Sequence, residues 1–179
     1  MDLSIVHYIN HLWEGTIVDT LSLIISLKLF LALLWVVVVV LVTWKCKKNR
    51  KIVLLAFLFS ILLFFVIWEW WFKMSFPYIR WLRLRPYLAH PDLIHPIGNL
   101  YTDTSFPSSH MANVLALFTV VVCFIPRVWP IALWFAVMMA FSRMHNGMHY
   151  PTDVIVGALR GILYGLVAVW LAKKIIRKI

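Results

Sequence analysis

A chain of 179 residues that is 63% hydrophobic, 16% aromatic and 13% charged, with mean hydropathy +0.89, does not have the composition of a soluble globular protein. Its formal net charge of +10 would point to nucleic acid in a soluble chain. The placement of the basic residues excludes that class. Five of the 17 lie in KCKKNRK (45–51) and four in the tail KKIIRKI (173–179), both directly flanking apolar runs. This is the pattern of charges kept on the cytoplasmic side, and anionic lipid headgroups are the expected partner.

The composition and runs predict an all-α integral membrane bundle in one domain, 1–179, with about five transmembrane helices and short interfacial ones. The start has no basic segment followed by a compact apolar core, so it does not read as a signal peptide. Instead Ile5, Tyr8, Ile9, Leu12 and Trp13 follow helical spacing, which predicts an amphipathic helix over 1–16 lying in the interface. The first span is expected over 21–44, with Lys28 snorkelling outward. The second runs over 52–72 and ends in the aromatic belt WEWWF. Residues 73–106 are polar and punctuated by proline, predicting short helices and loops on the outer surface.

The third span covers 111–125, PRVWP (126–130) is an inner turn, the fourth span covers 131–141 and the fifth 154–172. Spans three and four are short, which sets the polar motifs at their outer ends slightly below the membrane surface. Cys46 and Cys123 fall at cytoplasmic helix ends, where free thiols are expected. This topology brings RLRP (83–86), SFPSSH (105–110) and SRMHNGMHYPTD (142–153) to one extracytoplasmic face. Three polar motifs gathered on one face of a membrane protein predict one site.

Each motif has a physical reading. Pro107, Ser108, Ser109 and His110 open an apolar run as a capped helix start, where amide groups and the helix dipole favour an anion. His145, His149 and Asp153 stand at i, i+4 and i+8, which on a continuous helix could ligate a metal. Gly147 and Pro151 argue against that helix, and no metal site is expected. The favoured alternative holds His149 in one tautomer through Asp153 at Nδ1, leaving Nε2 as nucleophile or base, with His145 an interfacial bystander. Arg85 and Arg143 carry planar forks suited to phosphate oxygens, whereas Arg80 and Arg83 are expected to snorkel. Glu69 and Arg160 are read as an ion pair between spans two and five, or with Glu69 tuning a substrate entrance.

RP (85–86), PSSH (107–110) and SR (142–143) with GMHYPTD (147–153) together resemble the signature of the type 2 phosphatidic acid phosphatase superfamily, K-x6-R-P, P-S-G-H and S-R-x5-H-x3-D. The resemblance covers roughly residues 73–172. It implies a phosphatase that uses no metal or other cofactor. In it His149 takes the phosphoryl group, Asp153 orients His149, and His110 protonates the leaving oxygen and then activates water. Arg85, Arg143 and the backbone at Ser108 and Ser109 would hold the phosphate. The chain departs from the pattern where the first lysine is expected, since that position is Tyr78. Lys73, Arg80 or Arg83 could take its place.

The expected substrate has its phosphate at the membrane surface and its tail in the bilayer: undecaprenyl diphosphate, lipid A 1-phosphate or phosphatidylglycerophosphate. The setting implied is a bacterial inner membrane with the site facing outward. A lipid-to-lipid phosphotransferase, and a non-catalytic lipid-binding or transport protein with the same pocket, are the alternatives. No feature of the sequence indicates an oligomeric state.

Overall fold

The computed structural model describes residues 1–66 and 83–177, and all of its regular structure there is helical. Eight α-helices follow in order among the described residues: α1 (Asp2–His11), α2 (Ile17–Ser26), α3 (Lys28–Lys45), α4 (Arg50–Leu62), α5 (Pro86–Ala89), α6 (Ser109–Phe124), α7 (Trp129–His145) and α8 (Pro151–Ile176). Short 3-10 turns at Lys47–Asn49 and Pro126–Val128 make the two tight connections at one end. Lys173 Nζ lies 5.8 Å from the Phe124 ring centroid, so the basic tail joins those turns at that end. Both cysteines are free thiols.

Three helical stretches are long and apolar enough to cross a membrane, Lys28–Lys45, Lys47–Val66 and Pro151–Ile176. Helices α6 and α7 have 16 and 17 residues. At the standard rise these span about 24 and 26 Å, short of the roughly 30 Å of bilayer hydrocarbon.

The expected first span is two helices. At Leu27 the backbone turns extended, with φ −67° and ψ 134°, and the membrane-length helix begins at Lys28. Hydropathy does not mark the break, because Leu, Ile and Ser run uncharged to Leu27 and Lys28 reads as a snorkelling residue within the span. What decides it is hydrogen bonding. Ser22 donates to Asn146 Oδ1, and Ser26 Oγ pairs with Ser142 Oγ and accepts from Asn146 Nδ2 at 3.1 Å. Helix α2 is thereby bound to α7 as a polar strut.

The N-terminal helix has its apolar stripe turned outward, with Tyr8 68% and Trp13 58% exposed, while Val6 and Asn10 are fully buried. Asn10 Nδ2 donates to the carbonyls of His95 (2.8 Å) and His145 (2.6 Å), and its Oδ1 accepts from the His95 amide. Helix α1 thereby also caps the His145 end of α7 and the Thr152 end of α8.

The tightest packing is between α6 and α8. Gly157, Gly161 and Gly165 recur every fourth residue on α8 and face α6. A Cβ at Gly161 would lie 2.3 Å from the Ala112 carbonyl oxygen, and one at Gly157 2.5 Å from that of Ser108. Small residues permit backbone approach where lipid offers no hydrophobic driving force. The seam holds the start of α6 against the start of α8, where the Ser108 amide donates to the Asp153 carbonyl at 3.0 Å.

Gly161→Leu should therefore destabilise the purified protein by roughly 1–3 kcal/mol or prevent folding. Leu163→Ala, at a side chain 56% exposed on the same helix, should leave the unfolding temperature in detergent nearly unchanged. Equal unfolding temperatures for Gly161→Leu and the parent would contradict the close approach.

Candidate active site

Helix α7 stops at His145, and Gly147 follows at φ +68°. A side chain there would be strained, and its Cβ would meet Ile94 Cγ2 at 2.8 Å. The chain then runs extended to Tyr150, and α8 restarts with Pro151 in its first turn. The Asp153 carboxylate caps that helix, accepting from the Tyr150 amide at 2.9 Å. His149 sits in the connector, so the continuous helix needed for an i, i+4, i+8 metal set does not form.

His149 is 3% exposed. Its Nδ1 lies 2.6 Å from the carbonyl oxygen of Ser105, and Asp153 Oδ2 is 3.8 Å from the same nitrogen. A carbonyl only accepts, so Nδ1 carries the proton and Nε2 the lone pair. This corrects the expected direct Asp153–Nδ1 hydrogen bond, because 3.8 Å is beyond hydrogen-bonding range. The acid works through Ser105 instead. Ser105 is fully buried, and its hydroxyl donates to Asp153 Oδ2 while its carbonyl orients the imidazole. No sequence signal marks Ser105, because half of its role belongs to the main chain.

Burial pushes the His149 imidazole down to about 4; Asp153 pulls upward against this, and the charges of Arg143 and Arg85 lower it further. The ring is neutral at pH 7.

The cations are not where simple snorkelling would leave them. Arg83 Nη2 is 2.8 Å from Asp2 Oδ2, Arg83 Nη1 is 2.9 Å from Asp153 Oδ1, and the guanidinium lies 3.9 Å over the Tyr150 ring. It clamps α1 to α8 across the buried acid. Arg85 is 6% exposed and already engaged, with Nη2 donating to Asp103 Oδ1 at 2.6 Å and Nη1 to the Met148 carbonyl at 3.2 Å. Arg143 is 3% exposed, and its Nε has no hydrogen-bond partner among the described residues.

His110 opens α6 with Nε2 3.0 Å from the Ser26 carbonyl, so that Nε2 carries the proton and Nδ1 the lone pair. Ser108 is the helix cap: its hydroxyl accepts from the Met111 amide and its own amide is given to Asp153. That commitment removes the Ser108 amide from the expected phosphate cradle, while Ser109 begins the helix. Lys73, Tyr78, Arg80 and Glu69 lie outside the described residues; Arg160 lies with its guanidinium 5.9 Å from the Tyr164 ring centroid.

His145 is not a bystander. It is fully buried, with Nδ1 2.9 Å from the Ile9 carbonyl and Nε2 2.9 Å from Asp19 Oδ1, tying α1 and α2 to α7. Among the described residues His11, Glu14 and His95 bring metal-ligand atoms within 4.8 Å of one another, but all are exposed and none belongs to the His149 pocket.

Residues 70–177 match the PAP2 superfamily. The chain belongs to that family. It is 35% identical over 83 residues to undecaprenyl-diphosphatase BcrC of Bacillus subtilis, covering 45% of this chain and 41% of that one. It is 32% identical over 102 residues to a lipid A 4'-phosphatase of Bacteroides thetaiotaomicron, covering 52% and 44%. The matches thus span less than half the length of these relatives. The crystal structure of Aquifex aeolicus LpxE superposes with a TM-score of 0.64, 21% identity and 93% coverage of both chains, which establishes the PAP2 membrane fold.

The folded His149 resists a proton that an unfolded histidine accepts near pH 6.5. Its contribution to stability is full above 6.5 and is lost as pH falls toward 4. Unfolding temperature in detergent should fall over that window, and His149→Gln should shallow the slope. Identical slopes for both proteins would contradict the buried neutral ring.

Proposed function

We propose that the protein is a lipid phosphatase that hydrolyses membrane lipid phosphates or diphosphates through a phosphohistidine at His149. The observation that carries this is a buried, neutral imidazole whose Nδ1–H is held by the Ser105 carbonyl, so that Nε2 offers its lone pair beside Arg143 and Arg85. In the first half, His110, whose Nε2–H stays on the Ser26 carbonyl, takes a proton on Nδ1 as the anionic phosphate enters. Nε2 of His149 attacks phosphorus, the bond from phosphorus to the lipid-side oxygen breaks, and His110 passes its Nδ1 proton to that oxygen. In the second half, His110 takes a proton from water, the oxygen attacks phosphorus, the P–N bond breaks and phosphate leaves. Arg143 supplies charge to the non-bridging oxygens throughout, and Arg85 joins it when the phosphate competes with Asp103.

No step assigned here requires a metal ion. The basic end of the bundle belongs on the cytoplasmic side of a bacterial inner membrane, which faces the histidines outward. Undecaprenyl diphosphate and lipid A are the substrate types that the relatives' names support.

Purified full-length protein in detergent should release phosphate from undecaprenyl diphosphate, lipid A 1-phosphate or phosphatidylglycerophosphate, as measured with malachite green, in the presence of EDTA. His149→Ala should abolish release, and His110→Ala should slow it about 100- to 10,000-fold. Undiminished release by His149→Ala would reject the mechanism. No release from any of the three lipids by the parent protein would reject a phosphatase acting on them.

A further inference from the structure

Lys28 was accounted for in the sequence only as a snorkelling residue, and it lies outside residues 70–177 that define the family. In the fold it is the first residue of α3, placed there by the break at Leu27. Its Nζ lies 5.9 Å from the centroid of the Tyr101 ring, and the Arg85 guanidinium lies 5.5 Å from the same centroid. Lys28 and Arg143 line one cavity of about 260 Å3, with Tyr101, Asn99 and Asn146. Lys28 and Arg85 therefore share one ring, Lys28 and Arg143 share one cavity, and Arg85 is bonded to Asp103.

The cavity's lining runs from buried to exposed. Arg143 is 3% exposed and its Nε has no hydrogen-bond partner among the described residues, whereas Leu27 and Leu29, on either side of Lys28, are 46% and 68% exposed. A ligand lying along this gradient would be anionic at its inner end, anionic again at Lys28 and apolar beyond. That is the order of groups in a lipid diphosphate.

We propose that Lys28, with Tyr101 and Asn99, forms a second phosphate subsite that holds the lipid-linked phosphate of a diphosphate substrate while the terminal phosphate reaches Arg143 and His149. This rests on the phosphatase function proposed above and narrows it to diphosphates. When the terminal P–O bond breaks, the leaving group is a lipid monophosphate whose charge stays against the Lys28 ammonium. A lipid monophosphate, with nothing to place there, gains nothing from Lys28.

The test uses the full-length protein in detergent, with methylenediphosphonate as a non-hydrolysable diphosphate and inorganic phosphate as control. Calorimetry should show Lys28→Ala weakening methylenediphosphonate binding about tenfold or more, the worth of one charge-assisted hydrogen bond. Phosphate binding should change little, and Lys28→Arg should retain the parent affinity. In turnover, Lys28→Ala should raise KM for a lipid diphosphate by a similar factor with kcat little changed, and spare a lipid monophosphate. Equal effects on both ligands, no effect on either, or no binding of methylenediphosphonate by the parent would overturn the subsite. Lys28-dependent methylenediphosphonate binding in a protein that releases no phosphate would leave the subsite standing and reject the phosphatase function instead.

Discussion

The contact on which the rest depends is the backbone approach of α6 to α8. In a bilayer, lipid tails are as apolar as leucine, so helices are held by close packing and by hydrogen bonds that lipid cannot replace. Gly157, Gly161 and Gly165 bring the two helices near enough for carbonyl oxygens of α6 to occupy the space of missing side chains. The consequence appears at the end that carries the histidines. The first turn of α6 carries His110, the first turn of α8 carries Asp153, and the Ser108 amide bonds across to the Asp153 carbonyl. A wider spacing would separate the two histidine-bearing segments before any side-chain chemistry was considered.

Around that seam the protein places an unusual quantity of buried polar structure. Ser105 joins His149 to Asp153, Arg83 joins Asp153 to Asp2, and Asn10, His145, Ser22 and Asn146 bind α1 and α2 onto α7. Buried polar groups are costly unless satisfied, and the network satisfies them mutually. Its effect is to hold one imidazole buried, neutral and in one tautomer. Arg143 stands apart: its buried Nε has no partner among the described residues, which is an unfavourable state that an incoming anion would relieve.

The helical membrane architecture was legible from hydropathy, and the order of the apolar runs placed the three motifs at one end of the bundle, where Arg83, Ser105, His149 and Asp153 do meet. The break at Leu27 was not legible. It depends on Ser22 and Ser26 finding Asn146 and Ser142 more than 110 residues away, which no local pattern encodes. For the same reason the anchoring of α1 was not legible: Asn10, the residue that fixes it, looks like any polar helix position until His95 and His145 are beside it. Ser105 was hidden in plain view within SFPSSH, because a carbonyl has no residue signature. The small-residue spacing on α8 was readable, since GALRG and its extension to Gly165 stand in the sequence, but only knowledge of α6 as partner gives it meaning.

The most direct test of the central claim is to find the atom that carries the phosphoryl group. Purified protein mixed briefly with a lipid diphosphate, quenched in alkali to preserve phosphoramidates and mapped by mass spectrometry should yield a phosphorylated peptide with the modification on His149. The adduct should be absent from His149→Ala and should accumulate in His110→Ala if water activation is the step that variant slows most. A phosphoryl group trapped on any other side chain would contradict the account.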